Sequence, residues 1–140
     1  MEFTHAFYDA LPPEAAAIRQ AVFVEEQGFQ EEFDAIDRHA LHLLLFADGR
    51  PVATLRAFTE DGGTRWHIGR VAVIQSARQL HLGRRMMDLA EAELRRRGAA
   101  GIEVSAQCRV QPFYEKCGFT SVGEVYLDEF CPHIRMVKEL

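Results

Sequence analysis

The chain has 140 residues, of which 48% are hydrophobic and 26% are charged. These values are near the average for globular domains and exclude a disordered chain, a collagen-like chain and a coiled-coil rod. The formal net charge of −5 argues against a nucleic-acid-binding protein, which needs a basic face for the phosphates. No apolar run approaches the ~20 residues that span a bilayer, and the first residues lack the pattern of a secretion signal. We therefore expect one cytoplasmic domain over residues 1–140, with neither a membrane nor a nucleic-acid partner.

The first half of the chain predicts a strand, a helix and then three antiparallel strands. Alternating residues predict a strand over 3–7, and Pro13 begins a helix whose apolar residues keep helical spacing as far as Glu26. The acidic and aromatic stretch 29–37 has no clear period and predicts a short helix or a loop. Strands follow at 41–47, 52–58 and 66–74, with turn residues between them.

The second half alternates helices with strands. An apolar stripe that includes Leu82, Met86 and Leu94 predicts a long helix, which ends at Gly98. The remaining predicted elements are a strand at 102–106, a short helix at 112–116 and strands at 119–126 and 134–138. Because the long helix connects two strands, these strands should be parallel. The fold class is therefore α/β, with a mixed, mostly antiparallel central sheet of six or seven strands flanked by helices.

The junction between the strand at 66–74 and the long helix carries the first functional signal. The first backbone N–H groups of a helix have no partner within the helix and readily bind a pyrophosphate. Arg78, Arg84 and Arg85 concentrate positive charge at this point. A solvated arginine face on an ordinary helix explains the same residues equally well, so this segment alone leaves both interpretations open.

Two segments resemble the acetyl-CoA-binding motifs of the GNAT family of N-acetyltransferases. The segment RQLHLG at 78–83 is similar to the phosphate-binding motif Q/R-x-x-G-x-G/A, and QCRVQPFYEKCGF at 107–119 resembles the second acetyl-CoA segment. The segments AVFVEEQGFQEEFDAIDRHALH and PHIRMVKEL further resemble a branch of small bacterial acetyltransferases. The resemblance covers nearly the whole chain, with the motifs in the family's order. It implies the GNAT fold, with a central β-α-β unit that binds acetyl-CoA.

The resemblance also implies the co-substrate site, with acetyl-CoA as the donor and no metal. The backbone of Val71 and Val73 would run beside the pantetheine amides, and the turn from Arg78 to Arg84 would hold the pyrophosphate. The implied contacts are Val71, Ala72, Val73, Arg78, Gln79, Leu80, His81, Leu82, Gly83, Arg84, Gln107 and Phe113. His81 replaces the first motif glycine. Histidine tolerates a left-handed backbone better than most residues. Two interpretations stay open, namely that acetyl-CoA still binds with reduced affinity, or that the substitution is neutral drift at a loop position.

Acetyl transfer to an amine needs a base, and the departing sulfur benefits from a proton donor. Only about one alkylamine in 2,000 to 3,000 is neutral at pH 7, so a base or a desolvating pocket is useful. By resemblance, Tyr114 points at the thioester sulfur, and the alternative is a tyrosine packed in the core. Glu26 and His133 are our candidate bases, Glu25 and Glu103 are further candidates, and an ordered water chain is the alternative.

Metal and cysteine chemistry are disfavoured. Asp37, His39 and His42 have the residue types of metal ligands, but side chains three apart on an extended chain point to opposite faces. The chain has 3 cysteines without CxxC spacing, which predicts reduced thiols. Arg19 and Arg70 are candidates to bind an acidic part of the acceptor, although surface ion pairs are the commoner role.

The sequence therefore predicts an acetyl-CoA-dependent N-acetyltransferase, which moves an acetyl group to a primary amine by direct attack in a ternary complex. The acceptor is a small-molecule or peptide amine, and a homodimer is open because family members often pair. One alternative is a non-catalytic acyl-CoA-binding sensor module, which the altered motif at His81 favours. Another is a transferase of longer acyl chains, since VFVEEQGF also resembles acyl-homoserine-lactone synthases.

Overall fold

The computed structural model describes residues 1–140 and contains one seven-stranded sheet. The strands are β1 (Phe3–Tyr8), β2 (Leu41–Ala47), β3 (Arg50–Thr59), β4 (Arg65–Val73), β5 (Gly101–Gln107), β6 (Thr120–Asp128) and β7 (Cys131–Glu139). Their order across the sheet is β1-β2-β3-β4-β5-β7-β6, and every neighbouring pair except β4 with β5 is antiparallel. The predicted α/β class and the mixed, mostly antiparallel sheet are confirmed.

Helices pack on both faces of this sheet. The α-helices are α1 (Pro13–Arg19), α2 (Leu82–Arg96) and α3 (Gln111–Lys116). Shorter 3-10 helices cover Ala35–Arg38, Gln75–Leu80 and Cys108–Val110. α2 and α3 contribute to the larger hydrophobic core, whereas α1 belongs to a smaller core on the opposite face. A helix with the length and hydropathy needed to cross a membrane is absent from the chain.

β4, α2 and β5 form the predicted β-α-β unit. Met86, Ala90 and Leu94 of α2 are almost fully buried against the sheet, as the apolar stripe predicts. Gly98 follows the helix with φ +88°, a left-handed conformation that only glycine adopts without strain. The chain then returns as β5, parallel to β4.

The N-terminal helical region differs from its prediction. We predicted one α-helix as far as Glu26, but the chain changes to a π-helix over Gln20–Glu26. A π-helix is wider because its hydrogen bonds span five residues. Val22 and Phe23 pack with Ile18 in the smaller core at a spacing that an α-helix also allows. The spacing of apolar residues therefore does not reveal the change from an α-helix to a π-helix.

β4 and β5 separate along their second halves. Their parallel ladder ends at the pair Ile68 and Val104, although β4 continues to Val73 beside β3 and β5 continues to Gln107 beside β7. The register between β3 and β4 shifts at this point, and Arg70 has φ 52°, so β4 carries a bulge. Beyond the ladder each strand keeps one neighbour, which leaves backbone donors and acceptors on the facing edges without a sheet partner.

Candidate active site

A cavity of about 800 Å³ lies at the gap between β4 and β5. Residues from the π-helix, from the loop after it and from the turn between β6 and β7 complete its wall. The predicted site residues in the wall are Glu26, Val71, Ala72, Val73, Arg78, Gln107, Tyr114 and His133. The predicted residues outside the wall are Gln79, Leu80, His81, Leu82, Gly83, Arg84 and Phe113. The fold thus gathers the predicted catalytic residues in one cavity and places most of the phosphate motif beside it.

The start of α2 keeps its backbone N–H groups available. His81 precedes the helix with φ 57° and ψ 41°, and its side chain does not cap the helix. Histidine therefore adopts the left-handed conformation that a glycine would take at this position. Because no side chain satisfies the first N–H groups, they can still donate to an anion.

Several motif residues have packing roles. A Cβ atom on Gly83 would lie 3.1 Å from the ring of Phe113, so this glycine allows α2 and α3 to approach closely. Leu82 is in the larger core, which leaves only its backbone for a ligand. The Arg84 guanidinium donates to the carbonyl of Lys116 at 3.0 Å, at the end of α3. These residues therefore offer a phosphate mainly their backbone N–H groups at the start of α2.

Arg78 connects the end of β4 to the end of the π-helix. Its Nε donates to the carbonyl of Val73 at 3.1 Å, and its Nη2 donates to the Glu26 carboxylate at 2.7 Å. Both charged residues belong to the cavity wall. One oxygen of the Glu26 carboxylate is therefore occupied by Arg78 and is not free to face an amine.

The ring of Tyr114 is packed in the core, while its hydroxyl is unpartnered. Phe113 and Phe119 contact the ring edge-on, with centroid distances of 5.0 and 5.8 Å. The hydroxyl makes no hydrogen bond within the chain, and Tyr114 is part of the cavity wall. Burial raises the pKa of the phenol, with a smaller effect of Cys117 in the same direction. The phenol therefore keeps its proton at neutral pH and can donate it.

His133 has one ring nitrogen bonded and one free. Its Nδ1 lies 2.9 Å from the carbonyl oxygen of Cys131, and because a carbonyl only accepts, Nδ1 carries the hydrogen. The neutral ring then has its lone pair on Nε2, which has no partner in the chain. Tyr126 stacks on the ring at 6.0 Å, and Phe29 approaches it edge-on at 6.4 Å. His133 is 6% exposed, so this lone pair is held in a largely apolar setting at the cavity wall.

Gln107 connects β5 to the end of the π-helix. Its side-chain Nε2 donates to Oε1 of Gln27 at 2.9 Å, and its own Oε1 accepts from Nε of Arg109 at 2.9 Å. In the sheet, Gln107 lies opposite His133. The amide therefore braces the wall between the separated strand and the segment that covers it.

A buried ionic cluster holds the loop after the π-helix against the sheet, and the sequence does not predict it. Arg19, which is 1% exposed, contacts Glu32 through Nε and Asp37 through Nη1, both at 2.8 Å. Arg56 contacts Asp37 at 3.0 Å and Asp34 at 2.6 Å. The candidate role of Arg19 in binding the acceptor is therefore wrong, because its guanidinium is enclosed by this cluster.

Arg70 joins the same cluster from the bulge of β4. Its guanidinium contacts Glu32 at 3.1 Å and Asp34 at 3.4 Å, and these ion pairs stabilise a residue with unfavourable positive φ. Burial alone would raise the pKa of Asp37, but hydrogen bonds from two arginines lower it from 3.8 to about 2. At Glu32 burial outweighs the arginines, and the pKa of its carboxyl is raised. The sequence offers no local signal for this cluster because its members come from four separate segments.

The comparisons with known proteins identify the family. The family described as acetyltransferase (GNAT) domain matches residues 9–140. The uncharacterized N-acetyltransferase YjcF of Bacillus subtilis is 31% identical over 129 residues, which cover 90% of this chain and 91% of that protein. An acyl-CoA N-acyltransferase from Pseudomonas aeruginosa has a crystal structure with a TM-score of 0.83, 31% identity and 98% coverage of both chains. The crystal structure of Escherichia coli ElaA has a TM-score of 0.85 and 28% identity, and the match covers 99% of each chain.

The sequence and the fold both identify the chain as an acetyltransferase. Its mixed sheet opens between β4 and β5. The chain belongs to the GNAT acetyltransferase family. The resemblance stated from the two motifs is thereby confirmed, and so is the implied fold.

Proposed function

We propose that the protein transfers an acetyl group from acetyl-CoA to a primary amine by direct attack in a ternary complex. The observation that carries the proposal is one cavity, at the opening between β4 and β5, that holds an unpartnered phenol and an unpartnered imidazole. Family membership supports acyl transfer, and the similar Pseudomonas aeruginosa acyl-CoA N-acyltransferase supports an acyl-CoA donor. An aminoglycoside acetyltransferase solved with coenzyme A shares the fold at 18% identity.

The residues present fit the pantetheine and pyrophosphate parts of the donor. Bound acetyl-CoA supplies an activated acetyl thioester. The free edge of β4 from Gly69 to Val73 offers backbone groups for the two pantetheine amides. The uncapped start of α2 offers N–H groups for the pyrophosphate, and Arg78 lies nearby but is paired with Glu26. These are the same segments that the resemblance assigns to acetyl-CoA.

His133 is the proposed base. Its Nε2 takes a proton from the amine nitrogen as that nitrogen forms a bond to the acetyl carbon. The carbonyl of Cys131 maintains the required tautomer, because it holds the hydrogen on Nδ1. Glu26 is the weaker candidate, since its carboxylate is already paired with Arg78.

Tyr114 is the proposed proton donor. Its hydroxyl protonates the sulfur as the carbon–sulfur bond breaks, so one proton moves overall from nitrogen to sulfur. The raised pKa of the buried phenol keeps the donor protonated before the reaction. Solvent then exchanges the proton between His133 and Tyr114 and restores both groups.

Calorimetric titration with acetyl-CoA and a thiol-release assay over a panel of amines test this function. We expect binding, a rise in melting temperature and turnover of at least one amine. His133→Asn should lower kcat by about 100-fold or more, whereas Glu14→Gln on the exposed start of α1 should leave it unchanged. An absence of binding and thermal shift at millimolar acetyl-CoA would contradict the proposal.

The same assay separates the two alternatives. Binding without turnover on any amine would support an acyl-CoA sensor module. His81 favoured that module by its departure from the motif, but its left-handed backbone shows that the conformation expected of the motif glycine is retained. Octanoyl-CoA turned over faster than acetyl-CoA would support a transferase of longer chains.

A further inference from the structure

The arginines on the acceptor side of the cavity are already neutralised. Arg56 and Arg70 belong to the wall, and each contacts two carboxylates of the buried cluster. At the co-substrate end, Arg78 is paired with Glu26. Arg109 is the one arginine of the wall without a carboxylate partner, and it contacts the side chain of Gln107. These arginines therefore leave little positive charge to attract an anionic acceptor.

Three carboxylates of the same wall have no cationic partner. Glu31 follows the π-helix, Asp128 ends β6, and Glu129 lies in the turn between β6 and β7. None of the three contacts a lysine, arginine or histidine within salt-bridge distance. The other three acids of the wall, Glu26, Glu32 and Glu103, are each paired with an arginine. The uncompensated charge of the wall is therefore negative and is concentrated where these two segments meet.

The fold holds these two segments together. The Glu129 carboxylate accepts hydrogen bonds from the backbone amides of Gln30 and Glu31, at 3.1 to 3.2 Å. Beside this contact, Phe130 stacks on Phe29 with a centroid distance of 5.1 Å. The amides stabilise the Glu129 carboxylate without cancelling its full charge. Like charges held close together repel one another, and a bound cation relieves that repulsion.

A second observation points to a ligand in the same cavity. His133 is 6% exposed and its Nε2 has no partner, so the cavity offers a free acceptor for an N–H group. Glu129 lies four residues before His133 across the start of β7. Asp128 lies opposite Cys131, two residues before His133 in β7, so at ~3.4 Å per residue along the strand and ~5 Å between strands the acidic turn and the proposed base are on the order of 10 Å apart. A long polyamine spans this distance, whereas a very short diamine does not.

We propose that the acceptor is a small polyamine, an alkylamine that carries a second ammonium group at a distance from the reacting nitrogen. Glu31, Asp128 and Glu129 bind the second ammonium group, and the reacting amine meets His133. This inference rests on the proposed acetyl transfer and names its substrate class. Both ends of the acceptor are thereby recognised, the far end by charge and the near end by proton acceptance.

The test measures kcat/KM at low ionic strength for spermidine, ethylenediamine, butylamine and glutamate. We expect spermidine to exceed butylamine by about 10-fold or more, ethylenediamine to resemble butylamine, and glutamate to be the poorest acceptor. Added salt should reduce the advantage of spermidine, because exposed charges are screened over about 10 Å at 0.1 M. Equal kcat/KM values for spermidine and butylamine would overturn the inference.

Variants of the acidic residues provide the second arm. Glu31→Gln and Asp128→Asn should each lower kcat/KM for spermidine by roughly two- to fivefold, as expected for an exposed ion pair, and leave butylamine unchanged. Glu124→Gln, an exposed glutamate of the same β6–β7 hairpin outside the cavity wall, is the matched control and should change neither value. Glu129 is left intact because its carboxylate also bonds to backbone amides.

The outcomes separate this inference from the proposed function. Acetyl-CoA binding without turnover of any amine would overturn acetyl transfer itself. Turnover of all amines with unchanged values in Glu31→Gln and Asp128→Asn would overturn only the polyamine assignment. A lysine-rich tripeptide acetylated with a higher kcat/KM than spermidine would replace the small polyamine by a basic peptide.

Discussion

The two ends of the cavity are built in different ways. The co-substrate end consists of one continuous segment, from the free edge of β4 to the start of α2, and offers mainly backbone groups. The acceptor end lies against a buried cluster of side chains from distant segments, among them Arg19, Glu32, Asp37, Arg56 and Arg70. The first end depends on local backbone geometry, so it restricts only residues such as His81 and Gly83 whose backbone conformation or close packing limits the side chain. The second depends on a balance of buried charges, so the loss of one member takes one of two partners from each of two others.

The largest expected effect follows from breaking the ionic cluster at the acceptor end. Asp37→Asn should lower the free energy of unfolding by about 3–5 kcal/mol, because two buried arginines lose a charged partner. Urea denaturation followed by circular dichroism measures the change. Asp88→Asn, which removes an exposed partner of Arg84, is the control and should change stability by less than about 1 kcal/mol. A small effect of Asp37→Asn would mean that the cluster contributes no stability.

The same residue predicts a dependence of stability on pH. The pKa of Asp37 falls from 3.8 in the unfolded chain to about 2 in the fold, so its contribution is complete above pH 3.8 and is lost as the pH falls toward 2. The loss attributable to Asp37 is about 2 kcal/mol. Unfolding measured from pH 6 to 2 should show a shallower acid slope in Asp37→Asn than in the parent protein. Parallel slopes would contradict the assigned pKa.

The next effect concerns the centre of the cavity. Tyr114→Phe should lower kcat by about 10 to 1,000-fold, because the departing sulfur loses its proton donor. The melting temperature and the affinity for acetyl-CoA should change little, since the hydroxyl has no partner in the chain. A lower melting temperature with unchanged kcat would make Tyr114 a packing residue only.

A smaller effect, on the affinity for acetyl-CoA, is expected at the ion pair between Arg78 and Glu26. Glu26→Gln removes the carboxylate that holds Arg78, so the guanidinium becomes free for a phosphate. We expect acetyl-CoA to bind up to roughly fivefold more tightly, with kcat nearly unchanged, as measured by calorimetry and steady-state kinetics. Glu25→Gln, at the exposed neighbouring glutamate, should change neither value. A fall of kcat by 100-fold in Glu26→Gln would instead identify Glu26 as the base.

The smallest effect is expected at the co-substrate end. His81→Gly should change the free energy of unfolding by about 1 kcal/mol or less, because relief of the left-handed strain is offset by the greater flexibility of the unfolded chain. His81→Val, which places a β-branched residue at φ 57°, should be clearly less stable than both. Thermal unfolding of the three proteins measures the order. A tolerated valine would show that this turn does not require a left-handed residue.

The predictable part of the site is the part that is local in sequence. The strand, turn and helix around Arg78 and the segment before Tyr114 follow from residue order, so their motifs identify the family before any fold is known. The preference for His133 over Glu26 as the base could not be predicted from residue order. It depends on which carboxylate or imidazole is left unpartnered, and the partner of Glu26 lies 52 residues away.

The sequence by itself determined the α/β class, the strand and helix order and the GNAT resemblance, because these depend on periodicity and on contiguous motifs. Only the tertiary structure decided the π-helix, the cluster around Asp37 and the approach of Glu129 to Glu31. The π-helix is local, but its apolar residues keep a spacing that an α-helix also allows. The cluster and the contact of Glu129 join groups whose separation along the chain carries no periodic signal, and burial decides whether a charge is paired or free. The charges of the acceptor end therefore depend on contacts that only the folded chain makes, whereas the co-substrate end is formed by consecutive residues and can be recognised in the sequence.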